Sequence, residues 1–341
     1  MPVSITREIR LDRRPVGRPQ QDCFSLAEVT LAPPGPGEVE IRPILLSVDP
    51  YMRGRMDDRP SYVPPFALGA PIEGFGIAAV EAAGPDAGLA PGDLVTGMLR
   101  WRELDVLPAR RLRRLERHGE PLEAHLGPLG MTGLTAYVGL TDVGGLRPGE
   151  TVLVTGAAGA VGSVAGQIAK LAGCRVVGVA GGAQKVARLR ELGFDQAVDY
   201  RAGDLPRALR QAAPDGVDLF FDNVGGDQLE AALSLMNVGG RVVLCGAIAQ
   251  YNDEAPRPGP RNLALAIGRR LTLRGFIVGD YEARRPAFEA AMRRWLVEGR
   301  VQADSTIVEG FERLPEAFLG LFEGTNLGKM LVRVGPEPAG R

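Results

Sequence analysis

Residues 151–162 join an apolar run, glycine-rich turns and the start of a helix without interruption. They read Thr-Val-Leu-Val-Thr-Gly-Ala-Ala-Gly-Ala-Val-Gly, and Gly173 then supplies a left-handed helix stop. The helix is indicated by apolar residues at helical spacing, namely Val161, Val164, Ala165, Ile168, Leu171 and Ala172. Gly159 would let a pyrophosphate approach the backbone, and Gly162 would let helix and strand pack closely. Because Ala157 replaces the usual first glycine, the pattern also fits an ordinary strand-to-helix turn.

Strand-like and helical runs alternate after this turn. Strands are indicated at 175–180, 196–199, 217–222 and 241–245, and helices at 183–192, 205–213 and 229–236. Such alternation is typical of a parallel sheet covered on both faces, with ligands bound at the carboxyl ends of the strands. The sequence therefore predicts an α/β fold with a Rossmann-type doubly wound sheet. Ala180, Asn223 and Cys245 fall at its ligand-binding edge.

The end of the second predicted strand indicates which dinucleotide fits. An NAD site normally places an acidic residue there, whereas residues 180–185 read Ala-Gly-Gly-Ala-Gln-Lys. Lys185 lies in the first turn of the next helix, where a cation is unfavourable unless an anion is near. The pattern favours NADP(H), with Lys185 as a phosphate ligand. The alternative is a solvated surface lysine.

Composition limits the class of protein. A chain of 341 residues with 45% hydrophobic content suggests about two domains with a sizeable core. A net charge of −1 argues against nucleic-acid or anionic-membrane partners and favours small molecules. The charged N-terminus and the lack of a long apolar run predict a cytoplasmic protein. The dispersed Cys23, Cys174 and Cys245 favour buried reduced thiols.

Short β-type runs dominate the first third of the chain, at 38–43, 44–48, 74–80 and 94–98. They predict a small β-rich domain. After a last sheet-domain helix at 283–298, an extended run at 305–310, a helix at 314–323 and an extended run at 329–334 would return to that domain. We therefore expect three sections: a β-rich catalytic domain at 1–125, a dinucleotide-binding domain at 126–300, and the returning segment at 301–341.

Further motifs carry a resemblance to a known family. They are Ser-Val-Asp-Pro-Tyr-Met-Arg at 47–53, Gly-Met-Thr-Gly-Leu-Thr-Ala at 130–136, Phe-Asp-Asn-Val-Gly at 221–225, Cys-Gly-Ala-Ile-Ala-Gln-Tyr-Asn at 245–252 and Gly-Thr-Asn-Leu-Gly-Lys at 324–329. With the order of domains, they resemble the zinc-free prostaglandin reductase/leukotriene B 12-hydroxydehydrogenase group of the medium-chain dehydrogenase/reductase superfamily. The resemblance implies a GroES-like β-rich domain and NADPH-dependent reduction of the double bond of α,β-unsaturated aldehydes or ketones.

The resemblance also assigns residues to the cofactor. Those implied at the pyrophosphate are Gly159, Ala160, Val161 and Gly162, and those at the adenosine 2′-phosphate are Lys185 and Tyr200. Those implied around the nicotinamide are Cys245, Gly246, Ala247, Ile248, Tyr251, Phe276, Ile277 and Val278. Asn223 and Asn326 match cofactor-contacting asparagines of the family. From the residues alone, Tyr200 also fits a strand end and Asn223 a turn.

The presence or absence of zinc ligands distinguishes the zinc-dependent members of the superfamily from the zinc-free ones. The chain has only His118 and His125, and no Cys or His lies near residues 73–76, so no catalytic metal is expected. Hydride transfer to an enone needs no metal but leaves an enolate, which needs a hydrogen-bond donor and a proton. Tyr251 and Tyr51 are the candidate catalytic donors, and Tyr251 is preferred because it follows the fifth strand. The alternative is a packed tyrosine whose hydroxyl bonds to the backbone.

Some questions stay open at this stage. An arginine-rich stretch departs from the family pattern, at Arg100, Arg102, Arg110, Arg111, Arg113, Arg114 and Arg117. It could bind an acidic substrate tail, although a solvated charged face is favoured. A quinone oxidoreductase and a non-enzymatic NADPH-binding protein are the alternative functions. The family also suggests a homodimer through edge-strand pairing at 271–278.

Overall fold

The computed structural model describes residues 3–337, which form two compact units. The first unit comprises residues 3–126, 306–325 and 330–337, and the second comprises 127–305 and 326–329. The ends of the predicted domain ranges, Met1, Pro2 and residues 338–341, lie outside the described residues. The domain boundaries expected from the sequence stay a prediction.

The first unit is mainly antiparallel β-structure. Its N-terminal elements are β1 (Ser4–Leu11), β2 (Phe24–Leu31), β3 (Glu38–Ser47), α1 (Met52–Arg55), β4 (Glu73–Ala83), β5 (Leu94–Arg100), β6 (Asp105–Pro108) and β7 (Leu112–Arg114). The two runs expected at 38–43 and 44–48 form the single strand β3. The register with β4 shifts between Pro43 and Leu45, because proline has no N–H to donate to the ladder.

The second unit contains the predicted Rossmann-type sheet. Its elements are α2 (Met131–Val138), β8 (Thr151–Val154), α3 (Ala160–Leu171), β9 (Arg175–Ala180), α4 (Ala183–Glu191), β10 (Gln196–Asp199), α5 (Leu205–Ala212), β11 (Val217–Asp222), α6 (Gly226–Leu233), β12 (Met236–Leu244), α7 (Leu265–Arg269), β13 (Thr272–Gly275) and α8 (Arg285–Val297). The strands run parallel in the order β10-β9-β8-β11-β12-β13, so the doubly wound fold is confirmed.

Strand β12 begins earlier than the sequence pattern indicates. Met236 pairs with Val217, and the register then shifts so that Leu219 pairs with Arg241. The intervening Gly239 has a φ of +77°, which glycine adopts without strain. This turn-like irregularity hides the start of the strand from a pattern based on alternation.

The C-terminal segment completes the antiparallel sheet. It contains β14 (Ser305–Glu309), α9 (Leu314–Glu323) and β15 (Lys329–Arg333), as the sequence predicts. The strand order is β14-β15-β3-β4-β5-β7, with β6 paired to β3. Within residues 3–337, no helix combines the length and the apolar character needed to cross a membrane.

Each unit has its own hydrophobic core. Trp101 and Phe318 are among the largest fully buried side chains of the first unit, and Phe220 is among those of the second. Helix α3 is buried on more than the single face that its apolar spacing predicts, because α2 packs against it. Its buried Gln167 donates from Nε2 to the carbonyl oxygens of Ser163 and Gln302.

Candidate cofactor and active site

The glycine-rich turn between β8 and α3 has the geometry of a phosphate-binding turn. Gly156, not residue 157, adopts the left-handed conformation with a φ of +57°, so the buried Ala157 fits without strain. A Cβ on Gly162 would lie 2.4 Å from the Gly156 carbonyl oxygen, which explains the need for glycine there. Helix α3 starts at Ala160 with Gly159 as its cap, so its first N–H groups are available to an anion.

A short C-terminal segment lies against this turn within the second unit. The Gly328 N–H donates to the Ala158 carbonyl oxygen at 2.8 Å, and the Asn326 side-chain amide donates to the Gly328 carbonyl oxygen at 2.8 Å. Gly328 has a φ of +65°, and a Cβ there would lie 1.9 Å from the Asp304 carbonyl oxygen. The predicted site residue Asn326 is therefore beside the turn, with its amide nitrogen already engaged in its own loop.

The second strand end carries two cations rather than one. Lys185 is half-buried and has no hydrogen bond or ion pair within residues 3–337. Burial lowers the pKa of its ammonium group, and the charge of Arg201 lowers this pKa further. The Arg201 guanidinium lies 5.6 Å from the centre of the Tyr200 ring. Atoms of both Tyr200 and Arg201 lie 2.8 Å from the position of a Cβ on Gly181. Lys185 and Tyr200 were predicted from the sequence at this position, and Arg201 was not.

A carboxylate also lies at this edge, contrary to the expectation from residues 180–185 alone. Asp199 ends β10 and pairs in register with Ala180. Its Oδ1 accepts from the N–H groups of Gly182 and Arg201, each at 2.9 Å. The carboxylate comes from the neighbouring strand and is held by backbone donors, so it organises the turn after the second strand.

The predicted nicotinamide residues come together at the ends of β11 and β12. Asn223 donates from Nδ2 to the Thr155 carbonyl oxygen at 2.7 Å, and its own carbonyl oxygen accepts from the Ile248 N–H at 3.4 Å. Cys245 and Gly246 both donate backbone N–H groups to the Asp222 carbonyl oxygen, at 2.9 and 3.1 Å. Thr155 and Asp222 were not predicted as site residues, although Asp222 precedes Asn223 in the quoted motif.

The burial of the three cysteines matches the expectation of buried thiols only in part. Cys23 and Cys174 are buried, whereas Cys245 is half-buried because it lies at the exposed end of its strand. Burial of its sulfur raises the pKa of the Cys245 thiol to about 12, and the charge of Asp222 acts in the same direction. The thiol therefore stays protonated at neutral pH.

Tyr251 directs its hydroxyl back at the same loop. Within residues 3–337, the Tyr251 hydroxyl oxygen accepts a hydrogen bond from the Ala247 N–H at 3.2 Å. Burial raises the pKa of this hydroxyl. The backbone contact expected for a packed tyrosine is present, but the hydroxyl is the acceptor in it. Its own proton remains available for donation.

Tyr51 belongs to the first unit and caps α1. Its hydroxyl is buried and has no hydrogen-bond partner among the described residues. Burial raises the pKa of this hydroxyl, and the charge of Asp49 raises it further. A buried donor left unpaired costs about 1–3 kcal/mol.

Residues 276–278, which are also predicted to line the nicotinamide, follow the edge strand β13. Gly275 at the end of β13 pairs with Leu244 at the end of β12, so Phe276 leaves the sheet beside Cys245. The Phe276 ring packs edge-on to Tyr281 at 6.1 Å. The residues after it are Ile277, with 39% of its surface exposed, and Val278.

The arginine-rich stretch divides into two groups. Arg100 and Arg102 contact the fully buried Asp105 at 2.8 Å, and Arg102 also contacts the buried Glu8 at 2.5 Å. For these two, the expectation of a solvated charged face is wrong, because they neutralise buried carboxylates. The exposed members do fit a charged face, and their partners are Glu73 for Arg111, Asp93 for Arg114 and Glu337 for Arg117.

The donor set for a metal ion is limited. Residues 3–337 contain no group of three or more His, Cys, Asp and Glu side chains that could hold a metal. His125 is buried with its Nε2 3.2 Å from Oε1 of Glu120.

Comparisons with known proteins agree with this geometry. The family described as the N-terminal domain of oxidoreductase matches residues 7–115, and the family described as zinc-binding dehydrogenase matches 160–296. The NADPH-dependent curcumin reductase of Escherichia coli is 42% identical, with 96% of each chain covered. The NADP(+)-dependent 2-alkenal reductase of Nicotiana tabacum is 40% identical, with 97% of this chain and 98% of the relative covered. The crystal structure of CurA from Vibrio vulnificus in complex with NADPH superposes with a TM-score of 0.92 at 38% identity, covering 97% of this chain and 99% of that one.

Proposed function

The chain belongs to the medium-chain dehydrogenase/reductase superfamily, and on that basis we propose that it reduces the carbon–carbon double bond of α,β-unsaturated aldehydes or ketones with NADPH. The observation that carries the cofactor assignment is the half-buried Lys185 without an anionic partner, placed beside Arg201 at the second strand end. The names of relatives at 40% identity or more support the substrate class.

Each end of the cofactor would meet a different set of residues. Gly159, Ala160, Val161 and Gly162 would hold the pyrophosphate through the N-terminus of α3. Lys185, Tyr200 and Arg201 would hold the 2′-phosphate by charge and hydrogen bonds. The residues proposed to line the nicotinamide are Asn223, Cys245, Gly246, Ala247, Ile248, Tyr251, Phe276, Ile277, Val278 and Asn326. When bound there, NADPH supplies the hydride.

The protein's own chemical contribution is to stabilise charge on the substrate oxygen and to deliver a proton. Tyr251 fits this role because its hydroxyl oxygen is fixed by the Ala247 N–H while its proton remains available. The raised pKa of Tyr251 keeps the hydroxyl protonated at neutral pH. Tyr51 is the second candidate, because its buried hydroxyl lacks a partner within residues 3–337.

A panel of enals, enones and quinones, assayed by NADPH consumption, tests the reaction class. We expect turnover of enals and enones. Turnover of quinones alone would select a quinone oxidoreductase, and NADPH binding without turnover would select a non-enzymatic role. We also propose that the reaction is independent of zinc, so prolonged chelation should leave full activity. Loss of turnover with removal of about one zinc ion per chain would contradict this.

Replacing Tyr251 with phenylalanine tests the proton donor. If this hydroxyl is the principal donor, Tyr251→Phe should remove about 2.7–4 kcal/mol of transition-state stabilisation, which lowers kcat about 100- to 1000-fold. The Kd for NADPH should change little. Tyr137→Phe is the control, because Tyr137 packs against Phe288 and is not among the proposed site residues. Wild-type kcat in Tyr251→Phe would transfer the role to Tyr51 or to solvent.

We further propose a cytoplasmic homodimer formed along the edge strand β13. This strand has one unpaired edge in the described sheet, and the exposed Ile267 and Ile277 lie close to it in sequence. Sedimentation of wild type and Ile267→Asp measures the oligomeric state. A monomeric wild type would contradict the proposal.

A further inference from the structure

The carboxylate of Asp222 is fully buried at the end of β11. Its Oδ1 accepts hydrogen bonds from the Thr155 hydroxyl at 2.7 Å and from the Val224 and Gly225 N–H groups at 3.0 Å. Its Oδ2 accepts from the Gly225 N–H at 3.1 Å. A buried charge of this kind is costly unless donors satisfy it, and these donors come from two different strand ends.

Thr155, directly after β8, is the second member of this arrangement and is also buried. Its hydroxyl donates to Asp222 and accepts the Asn223 N–H at 3.0 Å. Its carbonyl oxygen accepts from the Asn223 side-chain amide at 2.7 Å. Thr155 thus fixes both the backbone and the side chain of Asn223.

The third strand end is held through the backbone of Asp222. Its carbonyl oxygen accepts the N–H groups of Cys245 and Gly246, which begin the loop after β12. The loop is held further by the Ala249 N–H, which donates to the Val224 carbonyl oxygen at 3.1 Å. One buried pair therefore joins the ends of β8, β11 and β12, where the proposed nicotinamide residues lie.

We propose that Thr155 and Asp222 are positioning residues, which set the geometry of the nicotinamide-binding edge through Asn223, Cys245 and Gly246 while remaining too buried to contact a ligand themselves. This inference rests on the proposed function and deepens it. The pair has no hydrogen bond to the 2′-phosphate cluster at Lys185 and Arg201. We therefore expect its effect to be largest at the nicotinamide end.

Two substitutions of Thr155 separate its hydroxyl from its shape. Thr155→Val keeps the branched side chain but removes both hydroxyl contacts, whereas Thr155→Ser keeps the hydroxyl and serves as the matched control. Thr155→Val should lower kcat about 10- to 100-fold, since a misplacement of about 1 Å can cost about 100-fold. Thr155→Ser should recover most of that loss.

Ligand binding shows whether the effect is local. Adenosine 2′,5′-bisphosphate carries the adenosine half of the cofactor without the nicotinamide. We expect its Kd to change by less than about twofold in Thr155→Val, because Lys185 and Arg201 are unaltered. The fluorescence change of the reduced nicotinamide on NADPH binding should decrease in the same variant.

Asp222→Asn provides an independent variant if the valine substitution perturbs folding. Each oxygen of Asp222 accepts a hydrogen bond, so an amide nitrogen at either position would face a donor. We expect the same pattern as for Thr155→Val. Wild-type kcat and nicotinamide fluorescence in both variants would overturn the inference, as would a parallel loss of adenosine 2′,5′-bisphosphate binding. If the wild type reduces no enone, the proposed function fails, while the fluorescence and binding measurements still decide the positioning role.

Discussion

Basic side chains form two clusters that differ in what they contact. In the first unit, Arg100 and Arg102 meet the buried carboxylates of Glu8 and Asp105. In the second unit, Lys185 is half-buried beside another cation and has no carboxylate partner within residues 3–337. From the sequence alone, a solvated charged face was favoured for the arginine-rich stretch that contains the first cluster, with binding of an acidic substrate tail as the alternative. The pairing of charges gives the first cluster a structural role and supports the ligand-binding role proposed for the second.

The two clusters also differ in what their burial costs the folded protein. Burial raises the pKa of the Asp105 carboxyl, although Arg100 and Arg102 act in the opposite direction, so the ion pairs offset much of the desolvation cost. For Lys185, burial and the like charge of Arg201 both lower the pKa, and no carboxylate within residues 3–337 offsets the cost. A perturbed group without a structural partner is typical of a ligand site.

Removing a paired arginine should give the strongest change and should affect stability alone. Arg102→Ala leaves Glu8 and Asp105 buried with one cation fewer, so we expect a loss of about 3–5 kcal/mol in the free energy of unfolding. The ratio of NADPH to NADH affinity should not change. Denaturant unfolding measures the first quantity, and Arg110→Ala, at an exposed arginine of the same stretch, is the control. A change in coenzyme preference without loss of stability would reverse the assignment of the clusters.

Removing Lys185 should change coenzyme binding and should not lower stability. Lys185→Ala should weaken NADPH binding by about 1.5–3 kcal/mol, because a charge-assisted contact is lost, and should leave NADH binding nearly unchanged. Stability should be equal or slightly higher, since a desolvated charge is removed. Fluorescence titration with both coenzymes measures the preference. Arg190→Ala, at an exposed site on the same helix, is the control. An unchanged preference in Lys185→Ala would show that the 2′-phosphate is bound elsewhere.

An exposed ion pair should show the weakest effect. Arg114 contacts Asp93 at 2.7 Å while more than half of its side chain is exposed. Arg114→Ala should change the free energy of unfolding by about 0–1 kcal/mol, and the difference should shrink in high salt. Thermal unfolding at low and high salt measures it. A cost similar to that of Arg102→Ala would mean that exposure does not distinguish the paired arginines.

The sequence predicted features that depend on neighbouring residues along the chain. The doubly wound parallel sheet, the glycine-rich turn before α3 and the place of Lys185 after the second strand follow from periodicity and from single positions. Arg201 and Asp199 were missed because their approach to Gly181 and Gly182 depends on how β10 pairs with β9.

The link from Thr155 to Asp222 was missed for the same reason. It spans 67 positions and exists only once β8 and β11 are paired. A local pattern does not encode such register-dependent contacts. At Ala157 a local departure from the usual motif has no structural consequence. The neighbouring Gly156 supplies the turn for which the usual motif has a glycine at position 157.

The loop around Gly328 also bears on biosynthesis. The chain leaves the second unit after Ser305 and returns to it for Asn326–Lys329, where Gly328 bonds to Ala158. A ribosome adding about 5–20 residues per second would therefore complete the turn roughly 10 to 30 seconds after Gly159 is made. Until then the nascent dinucleotide unit lacks the Gly328 N–H that bonds to Ala158 in this turn. Stable capture of a coenzyme at the proposed turn is accordingly expected only after Gly328 has been synthesised.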